Sequence, residues 1–216
     1  MSAPLFHLSG IRFAYEPARP VLEGADFTLA PGERVVLAGG NGSGKTTLLH
    51  LMVGLLKPQA GEVTAFGQVR QAERDFREVR ARAGLLFQDP DDQLFCPTVA
   101  EDVAFGPRNL GKSPAEAREI VARTLAQLAL GHLADRVTHR LSGGEKRLVT
   151  LATVLAMDPD VLLLDEPTNA LDEDAAARLT AVLLGLPQAM VIVSHDRAFR
   201  TRLATRTATL KEGRIR

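Results

Sequence analysis

The stretch "RVVLAGGNGSGKTTLLHL", residues 34–51, decides the fold. A short apolar run rich in β-branched residues reads as a strand. A glycine-rich turn follows, and then "TTLLHLMVGLL" (46–56), which reads as an apolar helix stopped by Pro58. Between strand and helix sits Gly39-x4-Gly44-Lys45-Thr46, the context that a phosphate-cradling loop requires. Glycines let the backbone curl so that several N–H groups point inward. In such a loop Lys45 would neutralise the β and γ phosphates, and the Thr46 hydroxyl can ligate Mg²⁺. By average residue usage the pattern arises by chance roughly once per hundred chains of this length. A glycine turn with an exposed lysine is the bland alternative, and the strand-to-helix context disfavours it.

Around this loop the chain alternates strands and helices. "LFHLSGIRFAY", "VLEGADFTLA", "GEVTAFG", "AGLLFQ", "MVIVS" and "TATLK" read as strands, and "VLLLD" (161–165) as a strand buried on both faces. Helices are expected from Ser113 to about Leu130, from Ser142 to about Met157, and over 173–185. Ile120, Val121, Leu125 and Leu128 give the first of these one apolar face. The pattern points to an α/β fold on a parallel or mixed sheet, with the helical stretch from 98 to 157 interrupting the alternation.

Three further sites sit where strands end, the place where ligands bind open α/β sheets. Asp165 and Glu166 close the buried strand. Asp165 suits Mg²⁺, and Glu166, read as facing the opposite side of the strand, suits polarisation of an attacking water. Gln88 ends "AGLLFQ" and His195 ends "MVIVS"; each is equally readable as an ordinary polar strand terminus. Tyr15, the only tyrosine, is either a stacking platform or a strand residue on an apolar face.

"HRLSGGEKR" (139–147) holds a capping box, Ser142 with Glu145, around the bare backbone of Gly143 and Gly144. It is a plain capped helix or an anion site. The second reading raises a question of number, because the chain already owns one phosphate loop.

Composition narrows the classes. The 216 residues are 45% hydrophobic and carry 26 basic and 26 acidic side chains, a net charge of zero, so no global field favours nucleic acid. "QAERDFREVRAR" (71–82) reads as a solvated helix face, and Arg197–Arg216 as a basic surface helix and edge strand. One cysteine, Cys96, rules out an internal disulfide and suits a reducing compartment. His7, His50, His132 and His139 show no metal-ligand spacing with each other or with Cys96. No signal-peptide pattern opens the chain, and its apolar runs, the longest around Leu148–Met157, fall short of the roughly 18 residues that span a bilayer.

Gly39–Thr46, Gln88, "LSGGE" 141–145, "VLLLDEP" 161–167, "ALD" 170–172 and "SHD" 194–196 occur in an order that resembles the nucleotide-binding subunit of ABC transporters. The segment "FQDPDDQLFCPTVAEDVAFGPRNLG" (87–111) is similar to that of the cobalt, nickel and energy-coupling-factor subgroup, which energises uptake of metal ions or vitamins. The resemblance implies one domain over 1–216. It would hold a P-loop NTPase core with a mixed sheet and flanking helices, an antiparallel β subdomain, and a helical signature lobe at about 90–157. It implies ATP and Mg²⁺ as cofactors. Tyr15 would stack on adenine. Asn41, Gly42, Ser43, Gly44, Lys45, Thr46 and Thr47 would wrap the phosphates. Thr46 and Gln88 would ligate Mg²⁺ with support from Asp165, Glu166 would activate water, and His195 would contact the γ-phosphate.

Ser142 and Gly144 would hold the γ-phosphate of ATP bound to a second ATPase subunit, identical or paralogous, in a head-to-tail dimer that Asp172 couples. Segment 89–106 would receive an integral membrane subunit at the cytoplasmic face of the cell membrane. Gly40 stands where the family often has Pro, Glu145 where Gln is common, and the chain ends soon after "KEGRIR", without the extension many coupling-factor relatives carry. The alternatives are another bacterial ABC importer or exporter and, further off, a non-transport ABC ATPase. The latter usually needs a long coiled-coil insertion or two ATPase domains in one chain.

Overall fold

The computed structural model describes residues 3–169 and 171–216, so Ala170 of the "ALD" motif lies outside the described residues. The chain forms two compact units. One takes the chain up to Leu85 together with Asp160–Asp165 and Pro187–Arg216. The other takes Leu86–Pro159 and Glu166–Leu186, so it starts earlier than the expected helical lobe and also gathers residues after the "VLLLD" strand.

The strands are β1 (Phe6–Glu16), β2 (Arg19–Leu29), β3 (Arg34–Ala38), β4 (Ala60–Ala65), β5 (Gln68–Arg70), β6 (Ala83–Leu86), β7 (Val161–Asp165), β8 (Ala189–Val193), β9 (Arg206–Lys211) and β10 (Arg214–Ile215). They build a four-stranded sheet in the order β2-β1-β4-β5 and a six-stranded sheet in the order β10-β9-β3-β8-β7-β6. The first is antiparallel throughout. In the second, β9, β3, β8 and β7 run parallel and β10 turns back antiparallel, which makes it mixed.

Period-2 patterning explains β1. Phe6 and Leu8 are buried, and then Ile11 and Phe13, with the phase slipped by one residue at a register shift around Gly10. Gly10 has φ +59, and its N–H donates to Asp26 Oδ1 at 2.7 Å. Every residue of β7 and β8 is buried, as expected for strands covered on both faces.

Helix α1 (Lys45–Met52) buries Leu48, Leu49, Leu51 and Met52 in one core with Phe6 and Leu8 of β1, Leu37 of β3, Leu163 of β7 and Val191 of β8. It ends well before Pro58, which corrects the expected helix 46–56. Gly54 takes φ +71, and a Cβ there would lie 2.3 Å from Cγ of Phe76, so only glycine lets the chain leave the helix at that point. Phe76 opens α2 (Phe76–Arg82), where Phe76 and Val79 are buried, Arg77 and Glu78 are exposed, and Arg80 and Arg82 are half-buried.

The second unit is helical: α3 (Val99–Asn109), α4 (Pro114–Gln127), α5 (Gly143–Leu155) and α6 (Glu173–Gly185). Thr98 with Glu101, Ser113 with Glu116, and Ser142 with Glu145 form capping boxes at the first three. Gly106 lets α3 approach the chain past α5, since a Cβ there would lie 2.5 Å from Met157 Cγ. Helix α4 buries Ala117, Val121, Thr124 and Leu125, while Ile120 is only half-buried. No described helix is long and apolar enough to cross a membrane.

The cap of α4 lies on an exposed helix start, away from the motifs above. Ser113→Ala removes a hydroxyl that accepts from the Glu116 N–H at 3.3 Å. The expected cost is about 1 kcal/mol, or roughly 2–4 °C in Tm, with ATP hydrolysis unchanged. Chemical and thermal denaturation beside an activity assay check this, and an unshifted Tm contradicts it.

Candidate functional site

In the first unit the phosphate loop joins β3 to α1. Gly39, Gly42 and Gly44 have φ +157, +71 and +102. A Cβ at Gly39 would lie 2.6 Å from the Leu210 carbonyl oxygen, and one at Gly44 2.7 Å from Val21 Cγ1, whereas one at Gly42 would meet nothing within 4 Å. The outer glycines therefore let the loop pack, and Gly42 borders open space. Among the described residues no side chain caps α1 at Gly44, and such an uncapped helix start suits an anion. Lys45 is 8% exposed, and its Nζ donates to the carbonyls of Gly39 (3.0 Å) and Gly40 (2.8 Å). The Ser43 hydroxyl is buried with no hydrogen-bond partner among the described residues. A buried orphan oxygen beside a folded-back lysine is the polar surplus that a phosphate oxygen would satisfy.

The parallel neighbours β3, β8 and β7 bring three motifs to the carboxyl end of the sheet: the phosphate loop, His195 two residues past β8, and Asp165 at the end of β7. Asp165 is 2% exposed. Burial lowers the pKa of His50 on α1, and the Asp165 charge opposes that shift. His195 is exposed on a turn set by Ser194, whose Oγ accepts from the Asp196 N–H at 3.1 Å. Asp196 then caps α7 (Arg197–Leu203). Tyr15 is 63% exposed, stands edge-on to Phe13 and shares a 3.2 Å hydrogen bond between its hydroxyl and that of Thr47. Its ring is thus tethered beside the loop helix, not lodged in an apolar face.

In the second unit the signature helix α5 starts as its spacing requires. The N–H and hydroxyl of Ser142 donate to Glu145 Oε2 at 2.7 and 2.8 Å, and the Glu145 N–H donates back at 3.3 Å. The bond from the Ser142 N–H, and then that from its hydroxyl, hold the Glu145 carboxyl below its usual range. Gly144 has little spare room: a Cβ there would lie 3.4 Å from that of Ala175 and 3.8 Å from Leu171 Cδ2. Asp172 caps α6, its Oδ1 accepting from Ala175 N–H at 2.7 Å.

Two strand-end readings need correction. Gln88 lies two residues beyond β6, which ends at Leu86, and its side chain is exposed. Glu166 is not the last strand residue either; β7 ends at Asp165, and Glu166 takes φ +46. Strand alternation therefore does not aim its carboxylate. A left-handed turn does, closed by the Asn169 N–H to the Glu166 carbonyl at 3.0 Å. Pro167 disfavours a helical conformation for the residue before it, and a positive φ is uncommon for glutamate, so this backbone is strained.

Sequence reading missed Arg147. It lies on α5 at 2% exposure and donates from Nη1 to the Phe87 carbonyl (2.6 Å) and from Nη2 to the Gln88 carbonyl (2.5 Å). One signal was present: an arginine opening the otherwise apolar run "RLVTLATVLA".

Downstream, Asp102 is 3% exposed, and its Oδ1 accepts from the N–H groups of Phe95 (3.1 Å) and Cys96 (2.9 Å). Burial, reinforced by Asp102, pushes the Cys96 thiol up to about 11, which leaves it unreactive. Phe95 is 64% exposed and meets the exposed Phe105 edge-on at 4.7 Å.

The model of the ABC transporter family matches residues 22–169, more than half of the chain. The chain belongs to the ABC transporter family. A Brucella suis protein, whose name goes no further than an ABC transporter ATP-binding protein, is 56% identical over 98% of this chain and 88% of its own. The nickel import ATP-binding protein of Rhodobacter capsulatus is 45% identical over 98% of this chain and 87% of its own. Among solved structures, cbiO1 of Clostridium perfringens, part of the ABC transporter complex cbiONQ, superposes with TM-score 0.88 at 32% identity, covering 100% of this chain and 88% of that one. An ATP-binding cassette solved as a post-hydrolysis dimer with ADP and Pi gives TM-score 0.89 at 26% identity, covering 97% and 96%. The ABC protein described here is an ATP-binding subunit and an ATPase, and its named relatives include the nickel, cobalt and energy-coupling-factor ATPases.

Proposed function

We propose that this ATPase powers import of a nickel or cobalt ion, or of a vitamin, as one of two head-to-tail ATPase subunits docked on an integral membrane subunit at the cytoplasmic face. The observation that carries the reading is one chain with two elements suited to a phosphate. These are the loop 39–46 with its orphaned Ser43 hydroxyl, and the bare-glycine start of α5. One ATP has one triphosphate, so the second element serves the ATP of a neighbouring subunit. The dimeric relative with ADP and Pi and the membership of cbiO1 in a transporter complex support the pairing and the docking.

In this reading Tyr15 stacks on adenine while Asn41–Thr47 and Lys45 surround the phosphates. Lys45 gives up two carbonyl contacts for phosphate oxygens. The Thr46 hydroxyl, the Gln88 amide oxygen and the Asp165 carboxylate are hard oxygen donors that fit Mg²⁺. That ion supplies neutralisation of the developing phosphate charge. Glu166 takes the proton of the attacking water, and His195 contacts the γ-phosphate. Asp172, at the head of α6, links the two sites. Ser142 and Gly144 close on the neighbour's γ-phosphate through charge-assisted bonds worth about 1.5–3 kcal/mol each. Hydrolysis removes that difference in affinity, so the pair opens and the membrane subunit feels the change.

The exposed Phe95–Phe105 pair, braced by Asp102, supports segment 89–106 as the docking surface. Replacing Leu94 and Phe95 together with Asp is expected to spare ATP binding and abolish co-purification with the membrane subunit. Cells carrying the variant are expected to lose uptake of radiolabelled nickel or cobalt. An intact complex moves the docking surface elsewhere. A lost complex with unchanged uptake of both metals assigns a different cargo.

A further inference from the structure

We propose that Arg147 is a positioning residue for ATP hydrolysis, holding the Gln88 backbone to the signature helix so that Gln88 and Ser142 ride on one rigid element. The inference rests on the reading of Gln88 as a ligand at the nucleotide site.

A guanidinium at 2% exposure is expensive to desolvate, and its cost is offset only by well-formed hydrogen bonds. Arg147 makes them as a fork to consecutive main-chain carbonyls, Phe87 at 2.6 Å and Gln88 at 2.5 Å. A planar pair of donors matches two adjacent acceptors; a lysine ammonium is a single point charge at the end of a flexible stem. The targets are backbone atoms, so the contact fixes where the chain runs and leaves the exposed Gln88 side chain to meet a ligand.

The rest of the loop is tied to the same helix. Lys146 Nζ lies 2.6 Å from Asp91 Oδ1. Gln93 Nε2 donates to the Thr150 carbonyl at 3.2 Å and to Thr153 Oγ1 at 2.9 Å, and Gln93 Oε1 accepts from the Phe87 N–H at 3.3 Å. Contacts from three successive turns of α5 therefore hold residues 87–93. Phe95 and Cys96 follow directly, braced on Asp102. A shift of the helix start toward a neighbour's phosphate thus carries Gln88 and the aromatic docking pair with it. Arg147 is the joint nearest Gln88.

The test compares Q88A, R147M, R147K and the double variant Q88A/R147M with the wild type, each checked for an unshifted melting transition. R147M is expected to lower kcat about tenfold or more, because misplacing one positioned group is that costly. It is also expected to raise the Mg²⁺ concentration for half-maximal activity several-fold, while Mg²⁺-free ATP affinity stays within about twofold. R147K is expected to fall between R147M and wild type, and it carries the test if R147M fails to fold. The double variant is expected to be no slower than Q88A alone, because both lesions act through one residue. Independent of activity, amide exchange over residues 87–93 is expected to quicken in R147K while exchange over the loop 39–46 is unchanged.

Wild-type kcat and Mg²⁺ demand in R147K and R147M beside an impaired Q88A overturn the proposal, as do losses that multiply in the double variant. A Q88A enzyme indistinguishable from wild type overturns the reading of Gln88 itself and this proposal with it, an outcome readable apart from the other two.

Discussion

Replacing Glu166 with Gln is expected to lower ATP turnover by about 10²-fold or more while leaving ATP binding intact. The amide keeps the size and shape of the side chain but exchanges one acceptor oxygen for an NH₂ donor and cannot take a proton from water. Asp165, the neighbouring acid at the end of β7, is untouched, so the residues proposed above to hold Mg²⁺ are all kept. The backbone argues for a dedicated position. Glu166 holds φ +46 in the turn that begins where β7 stops, ahead of Pro167, at a strain cost on the order of 1 kcal/mol. The variant is also expected to accumulate an ATP-bound dimer, because closure no longer leads to release. Single-turnover hydrolysis, nucleotide binding and size-exclusion chromatography with ATP check the three parts. Near-normal hydrolysis in E166Q contradicts the role given to Glu166.

What the sequence revealed and what it hid follow the range of the interactions concerned. The capping boxes at Ser113 and Ser142 span three residues, and their spacing alone specifies them. The buried strand "VLLLD" and the strand-turn-helix around the phosphate loop are likewise local, set by side-chain type and glycine placement. The end of α1 was misread because its cause is distant: the ring of Phe76 occupies the space beside Gly54. Proline at 58 was the visible stop signal, and the glycine ahead of it had already ended the helix.

At the candidate site, types and order of residues were legible and conformations were not. Pro167 argues for an extended residue before it, so nothing in the sequence announces the left-handed Glu166. The two bonds of Arg147 reach backbone atoms of Phe87 and Gln88 far away in the chain, and carbonyls leave no compositional trace. Strands of two or three residues, β10 and β5, are too short to show periodicity and exist because a neighbouring strand pairs with them.

The central claim is that each nucleotide site is shared, with Lys45 of one subunit facing Ser142 of the other. Lys45→Ala removes the ammonium from its own loop, along with two carbonyl contacts, and is expected to abolish ATP binding there. Ser142→Arg puts a long side chain where the neighbour's γ-phosphate must sit, and is expected to leave binding nearly intact while blocking closure. Each variant alone is expected to be inactive. In a mixed dimer both lesions fall in one site, and the other site is fully wild type. With independent sites and random pairing, about half the dimers are mixed and roughly a quarter of normal ATPase activity returns. If the partner is a paralogue, the two substitutions are divided between the two proteins, and dimer formation is measured in every mixture. The decisive measurement is ATPase activity of K45A mixed with S142R: recovery toward a quarter of wild type is the result expected, and zero recovery in verified mixed dimers contradicts the head-to-tail arrangement.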